Sequence, residues 1–237
     1  MDPYRAIAEL YDAEYGPLEA DIAYFARHGA AGPLLVLGCG TGRVNRALAP
    51  VRAVTGLDLS EPMLAVARAA SPGAAYVCAD MRDFDLGPFT EIVAPNAGFS
   101  FLPTRADQYA CLAACHRALP PGGSLLLDVP MPTFELLGTP HTPEKLAWEG
   151  EVAGRAVRRT REVHRYPVQQ RLELLDRYYV DGALFATSPL TLRLIFPAEA
   201  EWMLESAGFA TEPFHGDYTG APLRESSPRL IIRATRL

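Results

Sequence analysis

Three observations predict a doubly wound α/β sheet: short apolar runs that end at glycine or an acid, helical stretches between them, and a glycine-rich loop after the first run. Ahead of that run, residues of about 3–14 and 18–30 are expected as two short amphipathic helices. Ile7, Leu10 and Tyr11 share one face of the first, and Ile22, Phe25 and Ala26 one face of the second. Pro33 precedes Leu34–Leu37, an apolar run typical of a strand buried on both faces. Helix 42–49, strand 53–58, helix 61–69 and strand 75–78 follow, then strand 91–95, helix 105–118 and strand Ser124–Val129. Strands separated by helices form parallel βαβ units with right-handed crossovers.

After Pro132 the pattern changes. Residues of about 145–196 mix β-branched, aromatic and charged side chains in extended runs, at Arg155–Tyr166, Arg171–Val180 and Thr191–Phe196. Asp181-Gly182, between Tyr178–Val180 and Ala183–Phe185, is a hairpin signal, because a type I′ turn needs positive φ at both central residues. An antiparallel insert of three or four strands is expected. Helix 197–207, stopped by Gly208, and strands near 209–215 and 228–236 complete the chain.

The 237 residues suit one large α/β domain with a small inserted lobe, and 49% hydrophobic content is enough for a core without staples. A formal charge of -6 argues against nucleic-acid backbone binding as the main role. Of the four cysteines, Cys111 and Cys115 share one helix without a second pair at zinc spacing, so buried free thiols are expected. The segment MDPYRAIAELYD lacks the apolar core of a secretory signal, and no run reaches membrane-span length, so a cytoplasmic setting is expected.

The chemistry concentrates at strand ends. Gly38-Cys39-Gly40-Thr41-Gly42 follows a buried strand and opens a helix, where glycine lets the backbone turn tightly and approach a ligand. The dinucleotide pattern G-x-G-x-x-G would place its third glycine at Arg43, so no pyrophosphate need be cradled there. Asp58, at the end of the second strand, is placed to accept hydrogen bonds from two ribose hydroxyls; the plainer alternative is an acid beside a helix capped by Ser60. Asp80, after the third strand, is placed to accept from an adenine amino group, with Leu59 and Met81 on either side of the ring. Three successive strand ends thus supply one coherent nucleoside site.

LLVLGCGTGR, GLDLSEPML, ADMRDF and PGGSLLLDV together resemble the successive motifs of class I S-adenosylmethionine-dependent methyltransferases. The likeness is greatest to small-molecule N-methyltransferases of the glycine/sarcosine and amino-sugar type. It extends to LYDAEYG and to FHGDYTG…SPRLII. It implies a Rossmann-like seven-stranded sheet with an antiparallel last strand and an inserted antiparallel β lid over the acceptor. The single domain then divides into N-terminal helices (1–32), cofactor-binding core (33–130), lid (131–196) and the end of the sheet (197–237). The cofactor implied is S-adenosyl-L-methionine. Gly38, Gly40 and Gly42 would face its methionine portion, Asp58 its ribose, and Asp80 with Met81 its adenine; Cys39, Leu59 and Met63 would also bind the cofactor, with Tyr11 and Tyr15 approaching from the first helix. The chain departs from the family pattern at Val36, where many members carry an acid that organises the methionine amino end.

Transfer to an amine needs alignment and exclusion of water more than acid–base machinery. On the acceptor side Asn96, Phe99 and Phe101 follow the fourth strand, and His215, beside Asp217 and Tyr218, is the candidate base; Asn96 as a turn residue and His215 as a loop histidine are the plainer readings. His28, His116, His141 and His164 are read as structural. Arg155, Arg158, Arg159, Arg161 and Arg165 are read as a solvated strand edge. A small-molecule acceptor is expected, without nucleic acid or membrane, in a chain able to form a homodimer. Alternatives from other classes are a cofactor-binding protein without transferase activity and a nicotinamide oxidoreductase; O-methylation is the variant within the class.

Overall fold

Each apolar run becomes a strand, and each intervening periodic stretch a helix, in the computed structural model, which describes residues 2–237. In chain order these are α1 (Ala8–Tyr15), α2 (Ala20–His28), β1 (Leu34–Leu37), α3 (Arg43–Leu48), β2 (Val54–Asp58), α4 (Glu61–Ala70), β3 (Ala75–Cys78), β4 (Glu91–Ala94), α5 (Arg105–Ala118) and β5 (Ser124–Pro130). There follow α6 (Phe134–Leu137), β6 (His141–Val152), β7 (Arg155–Tyr166), β8 (Arg171–Val180), β9 (Ala183–Arg193), α7 (Pro197–Ser206), β10 (Phe209–Thr211) and β11 (Arg229–Arg236).

The larger sheet has the order β10-β11-β5-β4-β1-β2-β3. Strands β1 to β5 run parallel, and β11 is antiparallel to β5. One face packs Leu35, Leu37, Leu125 and Leu127 against Cys111, Leu112 and Cys115 of α5 and Met203 and Leu204 of α7. The other packs Leu34, Val36, Val93 and Leu126 against Tyr24 and Phe25 of α2, Val44 of α3 and Leu64 of α4. This burial on both faces is why the strands are so uniformly apolar. Val36 is wholly enclosed there. Cys111 and Cys115 are buried free thiols, and the Cys115 contact together with burial pushes the Cys111 thiol upward.

The second sheet is a meander, β6-β7-β8-β9. At its tightest turn Asp181 and Gly182 have φ of 50° and 81°, as the hairpin signal requires. Expectations needed correction at four places. The first helix begins at Ala8, because Asp2 accepts a 2.9 Å hydrogen bond from the Tyr4 N–H and holds the chain in turns. Of the run Thr191–Phe196, only Thr191–Arg193 is strand, as the end of the long β9, and 194–196 lead into α7. The strand expected over 209–215 ends at Thr211, before Pro213, which has no N–H to donate. Finally, β7 is an interior strand, so its arginines do not guard an edge: Arg159 is buried between Glu14 (2.5 Å) and Asp176 (3.1 Å), and Arg161 also binds Asp176 at 2.6 Å. Among the described residues, no helix is long and apolar enough to cross a membrane.

Candidate active site

The glycine loop is shaped by its backbone. Gly38, Gly40 and Gly42 have φ of 61°, 55° and 76°, a region that side chains disfavour. The two later glycines serve different ends. A Cβ at Gly42 would lie 2.6 Å from the Tyr76 hydroxyl and 3.0 Å from Ala67 Cβ, so that glycine permits helix–sheet packing. A Cβ at Gly40 would meet nothing within 4 Å and would project into open space. That space is a cavity of about 710 Å³ along the carboxyl ends of β1 to β4.

Asp58 closes β2 at the cavity wall. One carboxylate oxygen accepts the Gly40 N–H at 2.7 Å and the other the Ser60 N–H at 2.8 Å. Burial raises its pKa, and these two backbone donors oppose the rise. Each oxygen keeps a lone pair for a ligand hydroxyl. The Ser60 side chain makes no capping bond to α4; its hydroxyl donates to Asp2 at 2.6 Å. Asp80, two residues beyond β3, is engaged by Arg82, whose guanidinium lies 2.6 Å from it and also reaches Asp107 at 2.7 Å. This pairing holds the Asp80 carboxyl below the usual carboxylate range. An adenine amino group would therefore share Asp80 with, or displace, a half-exposed arginine.

Gly38, Cys39, Gly40, Asp58, Leu59, Met63, Asp80, Met81, Tyr11 and Asn96 all line the cavity. Gly42 and Tyr15 stand behind it, Tyr15 stacked on Tyr11 with ring centroids 4.4 Å apart. Phe101 lines the wall, whereas Phe99 is core. His215 is corrected: it is not part of the cavity. Backbone bonds to Ile231 turn this segment toward α2, and the ring nitrogen Nδ1 sits 2.7 Å from the Tyr24 hydroxyl. Its neighbour Asp217 binds the N–H and hydroxyl of Thr219.

A methyltransferase-domain family profile matches residues 34–123, which hold the glycine loop, Asp58 and Asp80. The CcbJ methyltransferase of Streptomyces caelestis superposes with a TM-score of 0.85 at 26% identity, covering 99% of this chain and 98% of that one. An amino pentose methyltransferase of Micromonospora echinaspora, solved with S-adenosylmethionine bound, gives 0.74 at 29% identity, covering 96% and 97%. The chain thus carries a methyltransferase-domain core over residues 34–123 and resembles S-adenosylmethionine-dependent methyltransferases in fold over nearly its whole length. Among curated relatives, a trans-aconitate 2-methyltransferase of an Acidovorax species is 29% identical over 161 residues, 65% of this chain; the chain spans 60% of that relative's length.

The cavity has further lining residues that sequence reasoning missed. Asp2 and Tyr4 close the cavity from the N-terminal turns, and Pro189, Leu190 and Thr191 of β9 close it from the second sheet. Nothing local in the sequence marks them, since only tertiary packing brings them there. Asp128 is different, because an acid inside the apolar run of β5 is a visible anomaly. Wholly buried, it accepts from the Asn96 N–H (2.8 Å), the Tyr218 hydroxyl (2.7 Å) and Arg229 (2.7 Å). It therefore holds Asn96 in its left-handed turn, at φ 46°. The two arginines of the cavity wall are both neutralised within the protein: Arg82 as described, and Arg43 by Asp21 at 2.5 and 2.8 Å.

Proposed function

We propose that this chain transfers a methyl group from S-adenosyl-L-methionine to an amine nitrogen of a small molecule. The observation that carries the reading is the cavity: a nucleoside-type wall of Gly40, Asp58, Leu59 and Met81 faces an apolar wall of Tyr4, Phe101 and Leu190, with no uncompensated cation among its described residues. A carboxylate-rich acceptor such as trans-aconitate would call for free arginines, and here both are already paired. The amino pentose methyltransferase relative supports the same choice. O-methylation is the second reading, favoured by the trans-aconitate 2-methyltransferase relative.

The residues fit the cofactor. The open space at Gly40 would take the methionine end, the free lone pairs of Asp58 the ribose hydroxyls, and Met81 with Leu59 the adenine faces. Val36, enclosed in the core, offers no contact to a ligand. When bound, S-adenosylmethionine supplies a methyl group on a sulfonium, open to in-line displacement. The protein's own part is alignment and exclusion of water. Burial pushes the phenols of Tyr4 and Tyr11 upward, so both remain protonated and serve as donors or packing surfaces. Of the cavity carboxylates, Asp58 and Asp80 sit at the nucleoside wall and Asp2 is engaged by the Ser60 hydroxyl, and among the described residues no histidine lines the cavity. An ammonium acceptor therefore loses its proton before it enters. The dependence of kcat/KM on pH should rise with unit slope and level off at the acceptor's own pKa, unchanged in His215→Ala. A plateau that shifts in that variant would return His215 to a catalytic role.

The reading includes a small-molecule acceptor, a cytoplasmic setting in keeping with four free thiols, and a homodimer burying apolar surface such as Leu184 and Phe185. Calorimetric titration with S-adenosylmethionine, its demethylated product and NAD tests the cofactor. The two sulfur ligands should bind and NAD should not, and Asp58→Ala should weaken binding about 100-fold, as expected for two lost hydrogen bonds to a charged group. Labelled methyl transfer to amine and carboxylate panels then tests the acceptor. Transfer confined to carboxylates would replace the amine reading with O-methylation.

A further inference from the structure

We propose that His141, Glu162 and His164 form a binding site for one borderline divalent cation, of the Zn²⁺, Ni²⁺ or Cu²⁺ class, on the outer face of the second sheet. The site is separate from the cavity, and nothing in the methyl-transfer reading uses it.

The register of the sheet builds it. His141, the first residue of β6, lies directly opposite His164 of β7. Directly opposed residues of an antiparallel pair point to the same face, and residues two apart on a strand share a face, so Glu162 joins them. The two imidazoles stack, with centroids 4.3 Å apart and an interplanar angle of 21°. Both present Nε2 to the same carboxylate oxygen of Glu162, at 3.1 Å from His141 and 3.2 Å from His164. The three ligand atoms lie within 4.8 Å of one another.

Those spacings suit a metal. Ligands bound at about 2.0–2.1 Å in tetrahedral or octahedral geometry are separated by roughly 3.0–3.4 Å. The nitrogen–oxygen distances already match such an edge, and the two nitrogens, within 4.8 Å of each other, close toward it as the rings turn to admit an ion. Two imidazoles and one carboxylate are a donor set for Zn²⁺, Ni²⁺ or Cu²⁺, unlike the all-oxygen shells of Mg²⁺ and Ca²⁺. The other Glu162 oxygen is held by Arg177 at 3.2 Å, which orients the carboxylate and leaves the shared oxygen for the metal. Arg177 is itself compensated by Glu144 at 2.9 Å, and Glu173 stands opposite His164 in the register, so the face is not positive overall. Both histidines are about half exposed, leaving positions for water.

A bound ion would fasten the start of β6, and with it the crossing over residues 131–140, onto β7. The same crossing is held by Arg165, which donates to the carbonyls of Leu136 and Thr139 and to the Thr142 hydroxyl.

The test is titration of the full chain with Zn²⁺ alone, alongside Co²⁺ as a visible-absorption probe. One equivalent should bind, with Co²⁺ bands of a mixed nitrogen–oxygen shell, and thermal unfolding should move to higher temperature. His141→Ala and His164→Ala should each weaken binding by at least about tenfold, since even outer-shell losses cost 10–100-fold. Glu162→Gln should weaken it while both imidazoles remain. Binding should persist in Cys78→Ser, in His116→Ala and in His28→Ala with His215→Ala, which remove the remaining histidines and the exposed thiol. Absence of binding, or binding unchanged in the His141→Ala/His164→Ala double variant, would overturn the proposal. The His141, Glu162 and His164 substitutions leave the core untouched, and circular dichroism checks that every variant is folded.

Discussion

The two sheets of this protein are held together by different means. In the larger one, β1 and β4 are wholly buried and apolar, and ligand-facing groups stand only where the strands stop. In the smaller one, every second residue of β8 is buried, and the row Leu172, Leu174, Asp176, Tyr178 includes an acid. That acid is neutralised by Arg159 and Arg161, and Arg159 is fixed in turn by Glu14 of α1. One sheet is thus specified by hydrophobic burial and backbone turns, whereas the other adds buried charge pairs to an apolar cluster of Leu172, Leu174, Leu192 and Leu194. The second sheet is therefore attached by a small apolar cluster and a few charge pairs, whereas the first distributes its stability over two large hydrophobic faces.

Substitutions can break or sharpen this contrast. The largest effect is expected from Arg159→Ala, which strands Glu14 and leaves Asp176 with one partner. Removing one member of a buried pair costs about 3–5 kcal/mol, read as a lower urea midpoint. If the charge network has the role described, Glu14→Gln should lose less, since no charge is left behind at position 14. Next comes Gly42→Ala, where positive φ and the close approach of Tyr76 act together; about 2–3 kcal/mol of stability should be lost. Gly40→Ala should cost only about 1 kcal/mol, from backbone strain alone, yet reduce cofactor affinity more than Gly42→Ala does. A result in which both alanines harm stability equally would erase the distinction between packing glycine and ligand-facing glycine.

The smallest effect concerns pH. Burial raises the Asp58 carboxyl in the folded chain, so the folded state retains a proton that the unfolded state releases near pH 3.9. The stability of the wild type relative to Asp58→Asn should therefore fall as pH rises from that value through the folded one, then stay level to neutrality. Denaturant unfolding at a series of pH values measures this directly. A difference that grows in favour of the wild type would mean that the Gly40 and Ser60 N–H groups outweigh burial.

The same contrast explains what could be foreseen from sequence. Buried parallel strands announce themselves as apolar runs, so β1 falls at its expected position; the edge strand β3 and helix α5 do so too, and Gly40 and Asp58 meet as strand-end reasoning requires. Cross-strand charge pairing leaves no such trace. Arg159 and Asp176 are 17 residues apart and look like surface residues until the register joins them. His215 was misplaced for a related reason: a histidine close to the predicted end of a strand points to the ligand edge only if the strand continues, and Pro213 ends it early. Thr191 could be foreseen only as a strand residue, because its place on the cavity wall depends on how two separately formed sheets come to rest on each other.

That last arrangement bears on descent. The wall that faces an acceptor includes Pro189, Leu190 and Thr191, consecutive positions on one strand, whereas the donor wall is spread over the ends of β1, β2 and β3 and the loop beyond each. Changes at three neighbouring codons can reshape what the cavity admits without disturbing Gly40 or Asp58. A lineage built on this plan can keep its donor while trying new acceptors, and the acceptor wall is where close relatives should diverge first.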